Sequence, residues 1–127
     1  MNRKQISKFA QKVNFNKPVE IEYIKDKKYV AYLAKKTIYI NLKNIENDLE
    51  MAWILMHEIG HLNTTSTKLS EMEYNAHMWA ISRANELGMY KIKRELIIMF
   101  KYWLKFNWNS DKRRYIMAAK IYFKNNS

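Results

Sequence analysis

Apolar residues recur along this chain with two different periods. Ile6, Phe9, Ala10 and Val13 stand three and four apart with Lys and Gln opposite them, which predicts an amphipathic helix over residues 2–13. After Pro18 the period falls to two. Val19, Ile21 and Tyr23 alternate with Glu20 and Glu22, and beyond Asp26-Lys27-Lys28 a second alternation runs through Val30, Tyr32 and Ala34. These two segments predict a β-hairpin. A third strand, Thr37–Leu42, follows a Lys35-Lys36 turn, so the expected sheet is a small three-stranded antiparallel meander.

The helical period then returns. Asn47, with Glu50 three residues on, predicts a helix cap, and Leu49, Ala52, Trp53, Met56 and Ile59 supply a broad apolar face to about Leu62. A polar loop, Asn63–Lys68, separates it from a helix capped by Ser70, continuing through Leu87 and stopped by Gly88. Ile92, Leu96, Met99, Phe100, Trp103 and Leu104 predict another helix. Tyr115, Ala118, Ala119 and Tyr122 predict a last one after an Asn107–Ser110 loop. The expected fold is α+β, with the small sheet packed on a helical bundle. The 127 residues suit one domain, 1–127. Residues 1–45 give the first helix and the meander, 46–87 two central helices, and 88–127 the C-terminal helices.

Composition narrows the function classes. Apolar residues make up 48% of the chain against only two Gly and one Pro, so an ordered, helix-rich globule is expected rather than a disordered segment. No apolar run approaches the roughly 18 residues of a membrane span. Met1-Asn2-Arg3-Lys4-Gln5 leads into a polar amphipathic stretch rather than the apolar core of a signal peptide, so the expected location is cytoplasmic. The absence of cysteine excludes disulfides and thiolate metal sites, leaving His, Asp and Glu as transition-metal ligands. The histidines are three: 57, 61 and 77.

Two of them fall in a motif on the predicted helix 47–62, His57-Glu58-Ile59-Gly60-His61. Four residues is about one helical turn, so His57 and His61 project from one face and can place two imidazole nitrogens on a single zinc ion. Glu58 is rotated out of that row and can act on a water as general base and then general acid. Zinc lowers the pKa of its water to about 7, so a carboxylate of ordinary basicity suffices. A catalytic zinc needs a third protein ligand and one open position. Glu71, Glu73 and His77 are the downstream candidates. Glu73 is chosen as the ligand, with His77 beside it, because both lie one turn apart on the next helix among the small residues Ala76 and Ala80. Ser70-Glu71-Met72-Glu73 also matches a capping box, in which Glu73 would bond back to the backbone. His77 is equally readable as a surface or packing histidine or as a group that orients His57 or touches substrate. Gly60, costly inside a helix, points to another backbone or a substrate strand passing close by. The strand before the motif helix offers an edge to which an extended peptide could add, in which case Ile40→Pro would damage turnover more than zinc affinity.

These residues resemble the ImmA/IrrE family of metallopeptidases. The resemblance covers about residues 37–82. It rests on a strand of Ile-Tyr-Ile-Asn type, the His-Glu-Ile-Gly-His helix, and Glu73-Tyr74-Asn75-Ala76-His77-Met78-Trp79-Ala80. It implies zinc ligands at His57, His61 and Glu73, Glu58 as catalytic carboxylate, and a site-specific protease that cuts repressors of phages, mobile elements or stress responses. Family members often carry Asn where this chain has His77. The expectation is therefore a gluzincin-like zinc endopeptidase acting on a protein partner such as a DNA-binding repressor.

Charge supplies an alternative. Residues 91–127 hold ten Lys/Arg against Glu95 and Asp111, a net +8 of the chain's +11. Lys101, Lys105, Lys112, Arg113, Arg114 and Lys120, interleaved with Tyr102, Trp103, Trp108 and Tyr115, would let a non-proteolytic zinc-fold protein, an inhibitor or anti-repressor, dock on an acidic protein or nucleic acid. Trp103 and Tyr115 also lie on the apolar stripes, where they would be core instead.

Overall fold

Asn2 opens helix α1, Arg3–Val13, through a reciprocal box in which its side chain accepts from the Gln5 amide and the Gln5 side chain accepts from the Asn2 amide. The computed structural model describes residues 1–109 and 111–127; Ser110, the end of the expected Asn107–Ser110 loop, lies outside them. After α1 come β1 (Glu20–Tyr23), β2 (Ala31–Ala34), β3 (Thr37–Ile40), a 3₁₀ turn (Leu42–Asn44), α2 (Asp48–Leu62), α3 (Leu69–Glu86), α4 (Tyr90–Leu104) and α5 (Arg113–Asn125). The fold is α+β, as expected.

The sheet's wiring differs from the expected meander. Its order is β1-β3-β2, with β2 antiparallel to β3 but β1 parallel to β3. The Lys35-Lys36 turn does join a hairpin, with both residues at positive φ (49° and 69°), the twist that a two-residue hairpin turn requires. The first pair of strands does not. Residues 24–30 cross the end of β3 instead, tied down where Asn41 donates to the Asp26 carbonyl (2.7 Å) and Asn44 to the Tyr29 carbonyl (2.8 Å). The most buried strand thereby takes the centre: Ile38 and Ile40 are fully buried, whereas β1 carries Glu20 and Glu22 exposed at an edge.

Helix α2 starts where Asn47 accepts from the Glu50 amide (2.9 Å) and is enclosed on nearly all sides, with residues 54–60 buried. The expected Ser70 cap is not formed. Helix α3 begins two residues earlier, with Lys68 at its N-cap and no side-chain cap, and Glu73 is turned into the interior rather than back to its own backbone. Ala76, Ala80 and Ala84, all fully buried, run along one side of α3. The closest approach is at Gly60, where a Cβ would lie 2.2 Å from the Ala76 carbonyl oxygen, so Gly60 admits the α3 backbone. Gly88 ends the α3 segment at φ 70°, as expected. Leu96, Phe100 and Trp103 of α4 and Ala118 and Ala119 of α5 join Ile6, Ile38, Leu55 and Ile59 in one core. No helix among the described residues is long and apolar enough to cross a membrane.

Candidate metal centre

Because α2 and α3 touch at Gly60 and Ala76, the residues one turn from that contact face each other. His57 Nε2 lies 2.9 Å from Glu73 Oε1, His61 Nε2 lies 2.7 Å from the same oxygen, and the two nitrogens are 3.1 Å apart. Three ligands of a tetrahedral zinc at about 2.0–2.1 Å would be roughly 3.3 Å apart, so the edges of this triangle need to open by about 0.2 to 0.6 Å. His57, Glu58 and His61 also form a group whose ligand atoms lie within 4.8 Å of one another, so the motif helix can hold a metal ion. Glu58 and Glu73 are both buried, and both line the same cleft as His61.

Proton placement tests whether these residues fit a cation. His77 is fully buried, its Nε2 lies 2.5 Å from the Leu96 carbonyl oxygen, and its Nδ1 lies 2.8 Å from His57 Nδ1. A carbonyl only accepts, so His77 Nε2 carries a proton. Burial and the neighbouring His57 hold the His77 pKa well below the ordinary histidine value, so the ring is neutral and its Nδ1 is a bare acceptor. His57 therefore donates from Nδ1 to His77, and its Nε2 faces the Glu73 carboxylate. A ring nitrogen and a carboxylate oxygen 2.9 Å apart share a cation, either a proton on the nitrogen or a metal ion. His77 is thus no surface histidine: it is buried in contact with His57, where it can orient that ring.

Burial works to raise the Glu73 pKa, but the His57 and His61 nitrogens override it and hold the carboxyl far below the usual carboxylate range. Burial would likewise lower His61, and the facing Glu73 overrides that and raises it. Glu58 moves the other way: burial pushes it up, only partly offset by His57 and His61, which makes it a stronger base than a surface glutamate.

His57, Glu58 and His61 could hold a metal ion, and Glu73 stands within reach of the same two nitrogens.

No protein-family model, curated protein or solved structure matches this chain. Two residues in the site carry no local sequence signal. Arg114, from the first turn of α5, brings Nε to 3.1 Å from Glu73 Oε2, and its Nη2 donates to the Tyr115 hydroxyl (3.3 Å). The hydroxyl therefore borders the site. Around them opens a cleft of about 890 Å³, walled by Ala31, Tyr32 and Leu33 of β2, by Thr64–Ser66 and Met72, and by Lys112, Arg114 and Tyr115.

The structure corrects the expected peptide-binding edge. Ile40 belongs to β3, which is paired on both sides, whereas β2 is the edge that walls the cleft. The Asn41 amide donates to the Val30 carbonyl (2.9 Å), so in the antiparallel alternation Tyr32 and Ala34 bond to β3 while Ala31 and Leu33 turn their N–H and C=O groups outward. Of the aromatics interleaved with the C-terminal cations, Trp103 is in the core and Tyr115 in the cleft, which leaves Tyr102 and Trp108 exposed.

Proposed function

We propose that this chain is a zinc endopeptidase with His57, His61 and Glu73 as ligands and Glu58 as its general base and acid. The observation that carries this is the convergence of two imidazole nitrogens and one carboxylate oxygen beside a buried, more basic glutamate, in a cleft walled by an outward-facing strand edge. Zinc would supply a Lewis acid that polarises the scissile carbonyl and makes water acidic near neutral pH.

The chain's own groups do the rest. An extended peptide adds to β2 through the outward amides and carbonyls of Ala31 and Leu33, which places its backbone along the cleft without demanding particular side chains. Glu58 takes a proton as the water oxygen bonds to the carbonyl carbon. It returns that proton to the amide nitrogen as the C–N bond breaks, leaving a carboxyl and an amine. His77 and Arg114 hold His57 and Glu73 in place from behind.

The resemblance to ImmA/IrrE metallopeptidases points to a protein substrate, such as a repressor of a phage or mobile element. Proteomics of cells expressing wild type or Glu58→Gln tests this: a protein shortened only by the wild type supports it, and identical proteomes refute it.

A further inference from the structure

A peptidase site must stabilise the negative charge that develops on the carbonyl oxygen, usually with a fixed hydrogen-bond donor. Tyr90, Tyr102, Tyr115 and His77 are the chain's candidates near the motif and the C-terminal helices. His77 is fully buried and uses both ring nitrogens. Tyr90 lines a different groove, with Met1 and Phe9, and Tyr102 is exposed and absent from the cleft wall. Tyr115 alone of the four faces the cleft. Tyr29 and Tyr32 also line it, but Tyr32 packs against Tyr29 and Tyr39 at the β2 wall, whereas Tyr115 is linked through Arg114 to Glu73. Two nearby hydroxyls are already committed, since Thr64 donates to the Gly60 carbonyl (2.8 Å) and Ser66 to Glu71 (3.1 Å).

We propose, on the peptidase reading above, that the Tyr115 hydroxyl is the donor to the reacting carbonyl oxygen and that Arg114 is its positioning residue. The geometry of the pair supplies the reason. Arg114 lies over the Tyr115 ring at 5.0 Å and donates Nη2–H to the hydroxyl oxygen, which occupies one lone pair and leaves the O–H proton for a partner in the cleft. The same guanidinium is anchored by Nε on Glu73 Oε2, so the donor's place is tied to the carboxylate whose other oxygen faces His57 and His61. The ring is braced by Trp103, 5.0 Å between centroids, and by Phe106 edge-on at 6.4 Å. Burial raises the phenol's pKa, so it stays protonated at neutral pH. The Tyr115 proton remains on its oxygen throughout; it is lent as a hydrogen bond and not transferred.

Tyr115→Phe deletes the hydroxyl and keeps the ring stacked. Zinc-loaded wild type, Tyr115→Phe, Arg114→Lys, Glu58→Gln and the control Tyr102→Phe are incubated with a proteome-derived peptide mixture, and cleavage is followed by mass spectrometry. Binding of a phosphinic pseudo-peptide, a tetrahedral mimic, is measured by calorimetry. Expected for Tyr115→Phe is a kcat lower by about 10²–10³-fold. KM and zinc content stay nearly unchanged, and affinity for the mimic falls roughly 10- to 100-fold, the loss of one hydrogen bond to a charged group. Arg114→Lys, which cannot span Glu73 and Tyr115 at once, lowers kcat in the same direction. Tyr102→Phe behaves as wild type. If Tyr115→Phe cuts and binds the mimic as wild type does while Glu58→Gln is inactive, the tyrosine assignment is overturned and the peptidase reading stands. If wild type cuts no more than Glu58→Gln, both fall together.

Discussion

Gly60 is the point at which the packing of two helices and the geometry of the site are the same fact. A Cβ at residue 60 would stand 2.2 Å from the Ala76 carbonyl oxygen and 2.9 Å from its carbon, about 1.2 Å inside the 3.4 Å at which ordinary contact begins. The obstacle is backbone, which cannot rotate away, so in Gly60→Ala helix α3 must move by about an ångström. Glu73 is one turn before Ala76 and moves with it, whereas ligand distances in a zinc site tolerate about 0.2 Å. The helix gains about 1 kcal/mol from replacing Gly by Ala and loses about 1–3 kcal/mol to overpacking, so the net loss of stability is modest, at most about 2 kcal/mol. Zinc affinity should fall further, by roughly 10- to 100-fold, as when a ligand's supporting shell is removed. Competition with a chromophoric chelator reads the affinity, and urea unfolding of the metal-free protein reads the stability. Gly88→Ala is the comparison: Gly88 sits at φ 70° with nothing within 4 Å of its would-be Cβ. That change costs about 1 kcal/mol of backbone strain and leaves zinc affinity alone. A Gly60→Ala protein with wild-type zinc affinity would refute the coupling of this contact to the site.

Two other outcomes follow from the same geometry. Ala31→Pro removes an outward N–H from the β2 edge and should lower kcat/KM on peptides with zinc affinity unchanged, whereas Ile40→Pro, in the central strand, should unfold the sheet; equal peptide turnover by Ala31→Pro and wild type would remove the edge from the binding scheme. In the metal-free protein, His77 has a lowered pKa, so the unfolded chain takes up a proton near pH 6.5 that the folded chain refuses. Stability from this group is present above about pH 6.5 and is lost as pH falls below it, at up to about 1.4 kcal/mol per unit. His61 and Glu58, both raised, and Glu73, lowered, contribute slopes of their own, so the observable is the wild-type minus His77→Asn difference in urea unfolding at pH 7 and pH 5. It should shrink as the pH drops, and a difference that stays constant would show that His77 is not held neutral.

The parts of this site visible in the sequence are those encoded by short spacings. His57, Glu58 and His61 share one helix, and the cap at Asn47 and the stop at Gly88 fix the helices that carry the site from residues at their ends. Glu73 could be reached because Gly60 and Ala76 are small enough to bring two consecutive helices together. The Ser70 cap was a false signal, since Ser-x-x-Glu spacing does not reveal that Glu73 has a stronger partner in two imidazoles. Strand order was illegible for a different reason: the alternation in residues 19–23 is the same whether β1 pairs with β2 or with β3, and the choice is made by the burial of Ile38 and Ile40 and by Asn41 and Asn44 anchoring the connection. Arg114 and Tyr115 lie some forty residues beyond Glu73, and only the packing of α5 on α3 sets which face of α5 they occupy. Sequence placed Arg114 on a basic surface and Tyr115 on an apolar stripe; the cleft takes one from each.

The central claim is that Glu73 holds the metal while Glu58 stays free to act on water. Zinc content of purified Glu58→Gln and Glu73→Gln tests it directly, because both glutamates are buried within reach of the two histidines and only their roles differ. Glu58→Gln should retain zinc as wild type does, and Glu73→Gln should lose it. Retention by Glu73→Gln together with loss from Glu58→Gln would mean that the metal is held by the motif helix alone, and the general base proposed here would be a ligand instead.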